Sequence, residues 1–575
     1  MRRLSLPSRW TRTLRQDAQA GVVLGVQSVP DGLATGLLAG LSPLNGLYGY
    51  MVGTLAGAAV TSSAFMVVQG TGAMAMVIAD VPGLRPGAGQ AQAVATLAVL
   101  TGAVMLLAGF LKLGSLLRFV SNAVLVGFMN AVGVNIVLGQ VANLTGYAAD
   151  GDNRIVRTVN TFLSPAHVDW PSVVIGLSTI ALIVVLERTR VGSMGLVVAV
   201  IATSGLAALL GWASVATLDD LGVSLEGLPP LSLPSVALVP QLLVPAASLA
   251  FVGLVQGAGI SAIYGTADGQ RADVSRDFVG QGAANVASAV AGGMPVGGSA
   301  SASAINAAAG ARTRLAPMIA ALVMALVVLL FGSTVGHLAM PALAGLLILV
   351  GIRTIKPGDI ESVWKAGLVQ RAVMVVTFVL TMLVPLQYAV LVGVGVSVVL
   401  HVVQQSNQVM IRQRVPTEAG HVIEIDPVPV VPAGQVVVLQ PYGSLFFASA
   451  PVFEAALPRV DAGSRRSVVI VRLRGHVDLG TTFIDVLARY AAQLDDAGSR
   501  LVIASVGTAV VRQLSAGGVI DIVGPEGVVV GDERVGAAVA RAVSDAQEWI
   551  AADPRSARGP GDPGGPSTPG GPASG

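Results

Sequence analysis

The chain contains no cysteine, which excludes a disulfide scaffold, a thiolate nucleophile and a Cys-based metal site. Lysine is nearly as scarce. It occurs only at Lys112, Lys356 and Lys365, and none of these follows a glycine. A Walker A phosphate loop is therefore absent, and ATP-driven work by this chain alone is not expected. The five histidines, His167, His337, His401, His421 and His476, are scattered, with no ligand spacing such as HExxH. No metal centre is expected from them. Charge is also sparse: 11% of the 575 residues are charged, where a soluble domain carries about 25%. With 53% hydrophobic residues and a mean hydropathy of +0.75, that deficit points to a lipid environment. The expected protein is not an enzyme, has no catalytic residues or cofactor, and has no nucleic-acid partner.

What is present is a series of long apolar runs. A basic stretch (Arg2, Arg3, Arg9, Arg12, Arg15) precedes an apolar run too long for a signal peptide, which reads as a cytoplasmic tail, residues 1–16, entering a first span. Apolar segments recur to residue 405, each near the ~20 residues needed to cross ~30 Å of hydrocarbon. They begin near Gly21, Gly46, Gly70, Ala93, Val120, Pro171, Gly192, Pro245, Phe278, Ser299, Leu315, Leu338, Val369 and Ala389, about fourteen in all. Charge placement supports the even number. With the N-terminus inside, the inner loops hold Lys112 and Arg118, Arg188 and Arg190, Arg271 and Arg276, Arg312 and Arg314, and Arg353, Lys356, Lys365 and Arg371. The outer loops hold only Arg85, Arg154 and Arg157, with Asp150, Asp152, Asp219, Asp220 and Glu226. This bias places both termini in the cytoplasm of a multi-pass protein of the cell membrane.

Glycines recur at every fourth position in the first two spans, at Gly32, Gly36 and Gly40 and at Gly53 and Gly57. That spacing lets helix backbones approach closely and carries no chemistry of its own. Beyond residue 405 the pattern changes. Residues 406–434 hold charge and four prolines, Pro416, Pro427, Pro429 and Pro432, and read as a linker. Apolar β-type runs at 435–440, 468–473 and 501–506 alternate with helical patterns at 449–460 and 482–497. Residues 435–552 therefore read as a small α/β domain. The tail, 553–575, is rich in Pro, Gly and Ser and reads as disordered.

Two membrane segments share a break. One reads 66-MVVQGTGAMA and the other 294-MPVGGSASAS, matching at Met66/Met294, Val68/Val296 and Gly70/Gly298, with Thr71 opposite Ser299. Each runs from a short extended stretch into glycine, a hydroxyl residue and small residues. About twelve helical residues follow each break, or ~18 Å, only part of a bilayer. Paired short helices of this kind mark the site of a secondary transporter, because their N-termini bring free N–H groups and partial positive charge to the midplane. A glycine kink in one helix and a proline kink at Pro295 in the other is the plainer alternative, and the repetition disfavours it.

These residues carry a family resemblance. The stretch 281-QGAANVASAVAGGMPVGGSASASAINAAAGART and the opening 29-VPDGLATGLLAGLSPLNGLYG resemble the SulP family of sulfate permeases and anion exchangers. The C-terminal domain resembles the STAS domain that follows the membrane region there. The resemblance covers roughly residues 10 to 550. It implies a transport domain over residues 17–405, all-α, of two inverted seven-span repeats, with a core moving against a gate, often as a homodimer. It also places a substrate site between the third and tenth helices, on Gln69, Gly70, Thr71, Val296, Gly298, Ser299 and Ser301.

Three residues depart from the family pattern: Asp31 replaces a glutamine after Pro30, Gln256 replaces a glutamate, and Ala302 replaces an arginine. The pocket thereby loses a cation and moves its carboxylate to another helix. In the STAS-like domain 478-DLGTT lacks the phosphoacceptor serine, and Thr481 and Thr482 read as helix-start residues.

Among single residues Asp31 is the most informative. A charged aspartate midway along a span costs ~2.5–3.5 kcal/mol even on the lenient insertion scale. Its functional reading is a proton or sodium site facing the substrate. The alternative is a neutral or capping aspartate without a transport role. Gln256 either contacts substrate or bridges helices, Asn285 and Asn306 read as interhelical hydrogen-bonding residues, and Arg312 as a dipole contact. The expected function is alternating-access transport of a small inorganic anion or monocarboxylate (bicarbonate, sulfate or chloride), with a possible proton or sodium as coupling ion. Two alternatives stand: a proton-coupled carrier of a neutral or weakly acidic solute such as a nucleobase, and a membrane-tethered STAS sensor that no longer transports.

Overall fold

A computed structural model describes residues 8–84, 89–114, 121–221, 231, 233–266, 268–406, 409–417 and 421–552. The basic positions before residue 8, together with Arg85, Arg118, Glu226 and the expected disordered tail, lie outside the described residues. The chain divides into two compact units, Met1–Val398 and Val399–Gly575.

The first unit opens with α1 (Ser8–Leu38), α2 (Pro43–Val60), a two-residue strand β1 (Val68–Gln69) and the short α3 (Gly72–Ala79). Then follow α4 (Gln90–Phe110), α5 (Asn122–Gly139), α6 (Val141–Thr145), α7 (Arg154–Leu163), α8 (Trp170–Glu187) and α9 (Gly195–Leu209). The second half repeats the pattern with α10 (Val239–Ile263), α11 (Val274–Val290), β2 (Gly297–Gly298), the short α12 (Ala300–Ala308), α13 (Leu315–Gly336) and α14 (Met340–Thr354). It closes with α15 (Pro357–Ala366), α16 (Leu368–Leu383) and α17 (Leu386–Ser406). Among the described residues, fourteen helices lie at the expected segments. α6, α7 and α15 are additional connectors. Seven stretches are long and apolar enough to span a bilayer unaided, while α3 and α12 are the half-helices.

The helices sort into two groups. α11 packs on α4 and α2, α1 on α13 and α2, and α10 on α4, forming the core. α5 packs on α16 and α14, and α8 on α14 and α9, forming the gate. Two glycine rows explain the tight core. A Cβ on Gly46 of α2 would stand 2.1 Å from the Gly32 carbonyl and 2.6 Å from the Gly36 nitrogen of α1, so the two backbones touch, as small residues at this spacing allow. The second row, Gly49, Gly53 and Gly57, instead faces Met294, Val296 and Val68 of the extended stretches. That face of α2 is the floor on which both breaks lie.

The second unit is an α/β domain. Its sheet runs β4 (Val422–Ile425), β3 (Met410–Pro416), β5 (Val436–Tyr442), β6 (Val468–Arg472), β7 (Arg500–Val506), β8 (Val528–Val530). β5 to β8 are parallel, and β3 is antiparallel to both its neighbours. α18 (Ala450–Ala456), α19 (Thr481–Asp496), α20 (Thr508–Ala516) and α21 (Val519–Val523) cover one face through a core that includes Phe453, Phe483 and Leu487. α22 (Ala537–Ala551) covers the other, against Val438, Ile470 and Ala504.

The region expected as a linker, 406–434, therefore contributes a hairpin to this sheet. Its charge misled because it forms cross-strand pairs: Arg414 sits opposite Glu424 in the β3–β4 register, and Arg412 pairs with Asp426. The prolines fall at the end of β3 and in the β4–β5 connection, where no ladder bond is lost.

Candidate functional site

The two breaks meet. β1 and β2 pair antiparallel, Val68 opposite Gly298 and Gln69 opposite Gly297, and the Ser299 N–H donates to the Val67 carbonyl at 2.9 Å. From this two-stranded crossing α3 and α12 lead away. Each begins at the predicted hydroxyl residue. Thr71 Oγ1 accepts from the Met74 N–H at 3.2 Å and Ser299 Oγ from the Ala302 N–H at 3.3 Å, both ordinary N-caps. The helices are eight and nine residues long, shorter than the expected twelve. α3 stops at Asp80, and the chain turns after α12 at Gly310, whose φ is +92°.

A polar stripe on α11 holds the second break in place. Asn285 Nδ2 donates to the Val296 carbonyl at 2.6 Å, and its Oδ1 accepts from the Val296 N–H at 2.9 Å. Gln281 Oε1 accepts from the Gly298 N–H at 2.9 Å, and Ser288 Oγ donates to the Met294 carbonyl at 2.7 Å. Residues 281, 285 and 288 share one helix face and meet 298, 296 and 294 in turn. On the first break, Ser303 Oγ accepts from the Val67 N–H at 3.0 Å.

The expected site residues separate into two sets. Gln69 is 1% exposed and donates to Ser28 Oγ at 2.9 Å. Thr71 and Ser299 cap the half-helices, and Ser301 is exposed with its hydroxyl 3.2 Å from that of Ser299. These surround the paired N-termini. Val296 and Gly298, by contrast, have their N–H groups engaged by α11, and the Val296 side chain is buried with Met66, Val68 and Ile260. They frame the site. A Cβ on Gly298 would lie 2.8 Å from the Gly257 Cα, so the absence of a side chain there lets β2 pack on α10. Gln256, also on α10, leaves its buried Oε1 without a hydrogen-bond partner among the described residues.

Asp31 follows Pro30, which cannot donate to the Val26 carbonyl, and it is half-buried. Its Oδ2 accepts from the Tyr50 hydroxyl at 2.9 Å, and that hydroxyl lies 2.9 Å from Thr35 Oγ1. The Tyr50 ring is against Gly70, where an added Cβ would stand 2.9 Å from Tyr50 Cε2. Tyr50 thus links the carboxylate of α1 to the start of α3. Ala302, where the family pattern has arginine, packs with Leu24, Val67 and Ala320 in an apolar cluster.

Sequence reading missed Tyr50, Thr35 and Gln281 as site residues. Gln281 had a usable signal, since three polar residues on one face of a membrane helix need partners. In the second unit, half-buried His476 is pushed below its ordinary pKa by desolvation, partly offset by a hydrogen bond to Pro441.

Residues 14–379 match the sulfate permease family, and residues 428–535 match the STAS domain. A probable sulfate transporter of Mycobacterium tuberculosis is 28% identical over 536 residues, covering 90% of this chain and 93% of the relative. The structure of the murine solute carrier 26 family member A9 anion transporter in the inward-facing state superposes with a TM-score of 0.80. It is 19% identical and covers 95% of this chain and 96% of the other. The transmembrane domain of a cyanobacterial bicarbonate transporter, BicA, superposes at 0.57 with 24% identity, over 68% of this chain and 98% of that one. At these identities the superpositions establish the fold.

Proposed function

The chain belongs to the sulfate permease family of anion transporters, and from that premise we propose that it carries a small inorganic anion or monocarboxylate, driven by a proton or sodium gradient. The observation that carries this reading is the junction of Asp31, Tyr50 and Gly70 at the crossing of β1 and β2. Substrate sits at the N-termini of α3 and α12, held by N–H groups, the helix dipoles and the side chains of Gln69, Thr71, Ser299, Ser301 and Gln256. The core carries it past the gate in an elevator-like movement, with both termini in the cytoplasm.

The charge balance favours a monovalent substrate. Ala302 supplies no cation, and the carboxyl reached from Gly70 through Tyr50 is an acid, so a doubly charged anion would meet dipoles, amides and hydroxyls without a positive side chain. Asp31 compensates when it takes up a proton or sodium ion together with the substrate. One proton or sodium ion entering with one monovalent anion carries no net charge, so the concentration gradient of the coupling ion drives accumulation, about tenfold for each tenfold gradient. The same acid-only pocket favours, as a second reading, a neutral or weakly acidic solute entering with a proton.

Uptake into proteoliposomes separates these readings. Bicarbonate, formate, chloride, sulfate and uracil are offered with and without an imposed proton or sodium gradient. Asp31→Asn is expected to keep substrate exchange and lose gradient-driven accumulation, since an amide fits the site and still accepts from Tyr50. Unchanged gradient dependence in Asp31→Asn makes Asp31 structural, and no flux of any solute favours the sensor.

A further inference from the structure

The far end of α3 makes contacts that its symmetry mate does not. Asp80, the residue that ends the helix, has its partners on two gate helices: α7, which packs on α5, and α17, whose Gly393 faces Val124 of α5 and Thr377 of α16. Its Oδ2 accepts from the Leu386 N–H at the start of α17 at 3.0 Å. Its Oδ1 accepts from Arg154 of α7 at 2.5 Å, with both side chains largely shielded, at 16% and 22% exposure. At the next residue of α17, Ser248 Oγ of α10 donates to the Gln387 carbonyl at 2.6 Å. The corresponding end of α12 is tied differently. Arg312 and Thr313 donate their N–H groups to Asp17 Oδ1 of α1 at 2.6 and 3.0 Å, and Arg314 donates to the Thr61 carbonyl at 2.8 Å. Both partners, Asp17 and Thr61, lie within the core.

In a molecule of two inverted repeats, a contact present in one repeat and replaced in the other marks the end at which the structure is closed. We propose that Asp80, Arg154 and the α17 N-terminus form a latch that closes the outer end of the transport path and opens in each cycle. The proposal rests on the alternating-access reading above and on the charge bias that puts Asp80 outside. The chemistry suits a reversible contact. The carboxylate supplies the N-terminal anion that α17 lacks in its own sequence. Arg154 brings a cation to the C-terminal end of α3, where the dipole favours it. When the core shifts, all three groups reach water, so the open state stays hydrated while the closed state keeps directed bonds.

The test uses the absence of native cysteines. Ala389→Cys, one turn along α17 and 2% exposed, is labelled by a membrane-impermeant thiol reagent applied from outside to the reconstituted full-length protein. Labelling of Ala389→Cys alone should be slow. Adding Asp80→Asn or Arg154→Gln should speed it roughly tenfold, because only the closed state loses a contact. Combining both should add little to either, since they break one pair. The conservative variant Arg154→Lys, which keeps a cation beside Asp80 and leaves the bond from the Leu386 N–H intact, should label nearly as slowly as Ala389→Cys alone, which a general loosening of the fold would not. Equal labelling with and without Asp80→Asn and Arg154→Gln overturns the latch, and acceleration from the inner side alone overturns its outer placement. The readout requires no substrate, so failure of the transport reading shows separately, as absent flux with labelling still sensitive to Asp80.

Discussion

Gly298 and Gly70 show how one residue type serves a site in different ways. Gly298 is pressed on α10 at Gly257 while its N–H is held by Gln281. Gly70 faces the Tyr50 ring and the Met294 side chain, whose Cε lies 2.2 Å from an added Cβ. A methionine end can swing away, whereas the Gly257 backbone cannot. Gly298→Val is therefore expected to be the more damaging change, with roughly 1–3 kcal/mol of overpacking strain that drives α10 away from β2. Gly70→Ala should keep more activity than Gly298→Ala. Uptake and thermal unfolding of these variants check this order, and near-normal transport and unfolding temperature in Gly298→Val would overturn the tight packing on Gly257. The repeated Gly–hydroxyl pattern was legible in the sequence. Which neighbour each glycine touches was not, because Gly257 and Tyr50 arrive from other helices.

At the scale of elements, the two extended breaks survive inside a membrane unit only because their backbone groups are satisfied. β1 and β2 satisfy each other on one side, and the α11 stripe of Gln281, Asn285 and Ser288 completes the second break. Asn285 was expected to join two helices. It binds both polar groups of Val296 instead, acting in place of a neighbouring strand. Asn285→Leu would leave a buried N–H and carbonyl unpaired, at roughly 1–3 kcal/mol each. Faster hydrogen exchange at residues 294–299 and weaker substrate protection against heat are expected, whereas Asn285→Gln should be milder. No change in exchange in Asn285→Leu would show that β1 alone holds β2. The half-helices were legible because each break is a local signal of glycine and a cap. Their lengths were not, since α3 ends where Asp80 meets Arg154 and Leu386, 74 and 306 residues away in the chain.

For the whole molecule, the charge bias expects the loop at 267–277 and residues 435–575 on the cytoplasmic side. Gln270→Cys is exposed and should react with an impermeant thiol reagent in inside-out vesicles but not in intact cells. Labelling from outside intact cells would invert the topology. The amino-acid sequence by itself determined the membrane class, the positions of the fourteen apolar helices, the two paired breaks, their caps and the unusual acid at position 31. These depend on hydropathy over one span or on bonds within one helical turn, and such interactions are written in adjacent residues. Tertiary structure alone decided that β1 pairs with β2, that Tyr50 joins Asp31 to Gly70, that Asp80 reaches the gate, and that β3 and β4 belong to the sheet. Each of these is a contact between groups distant in the chain or a pairing of charged strands whose local pattern resembles solvated loop, so its energy exists only once packing has brought the partners together.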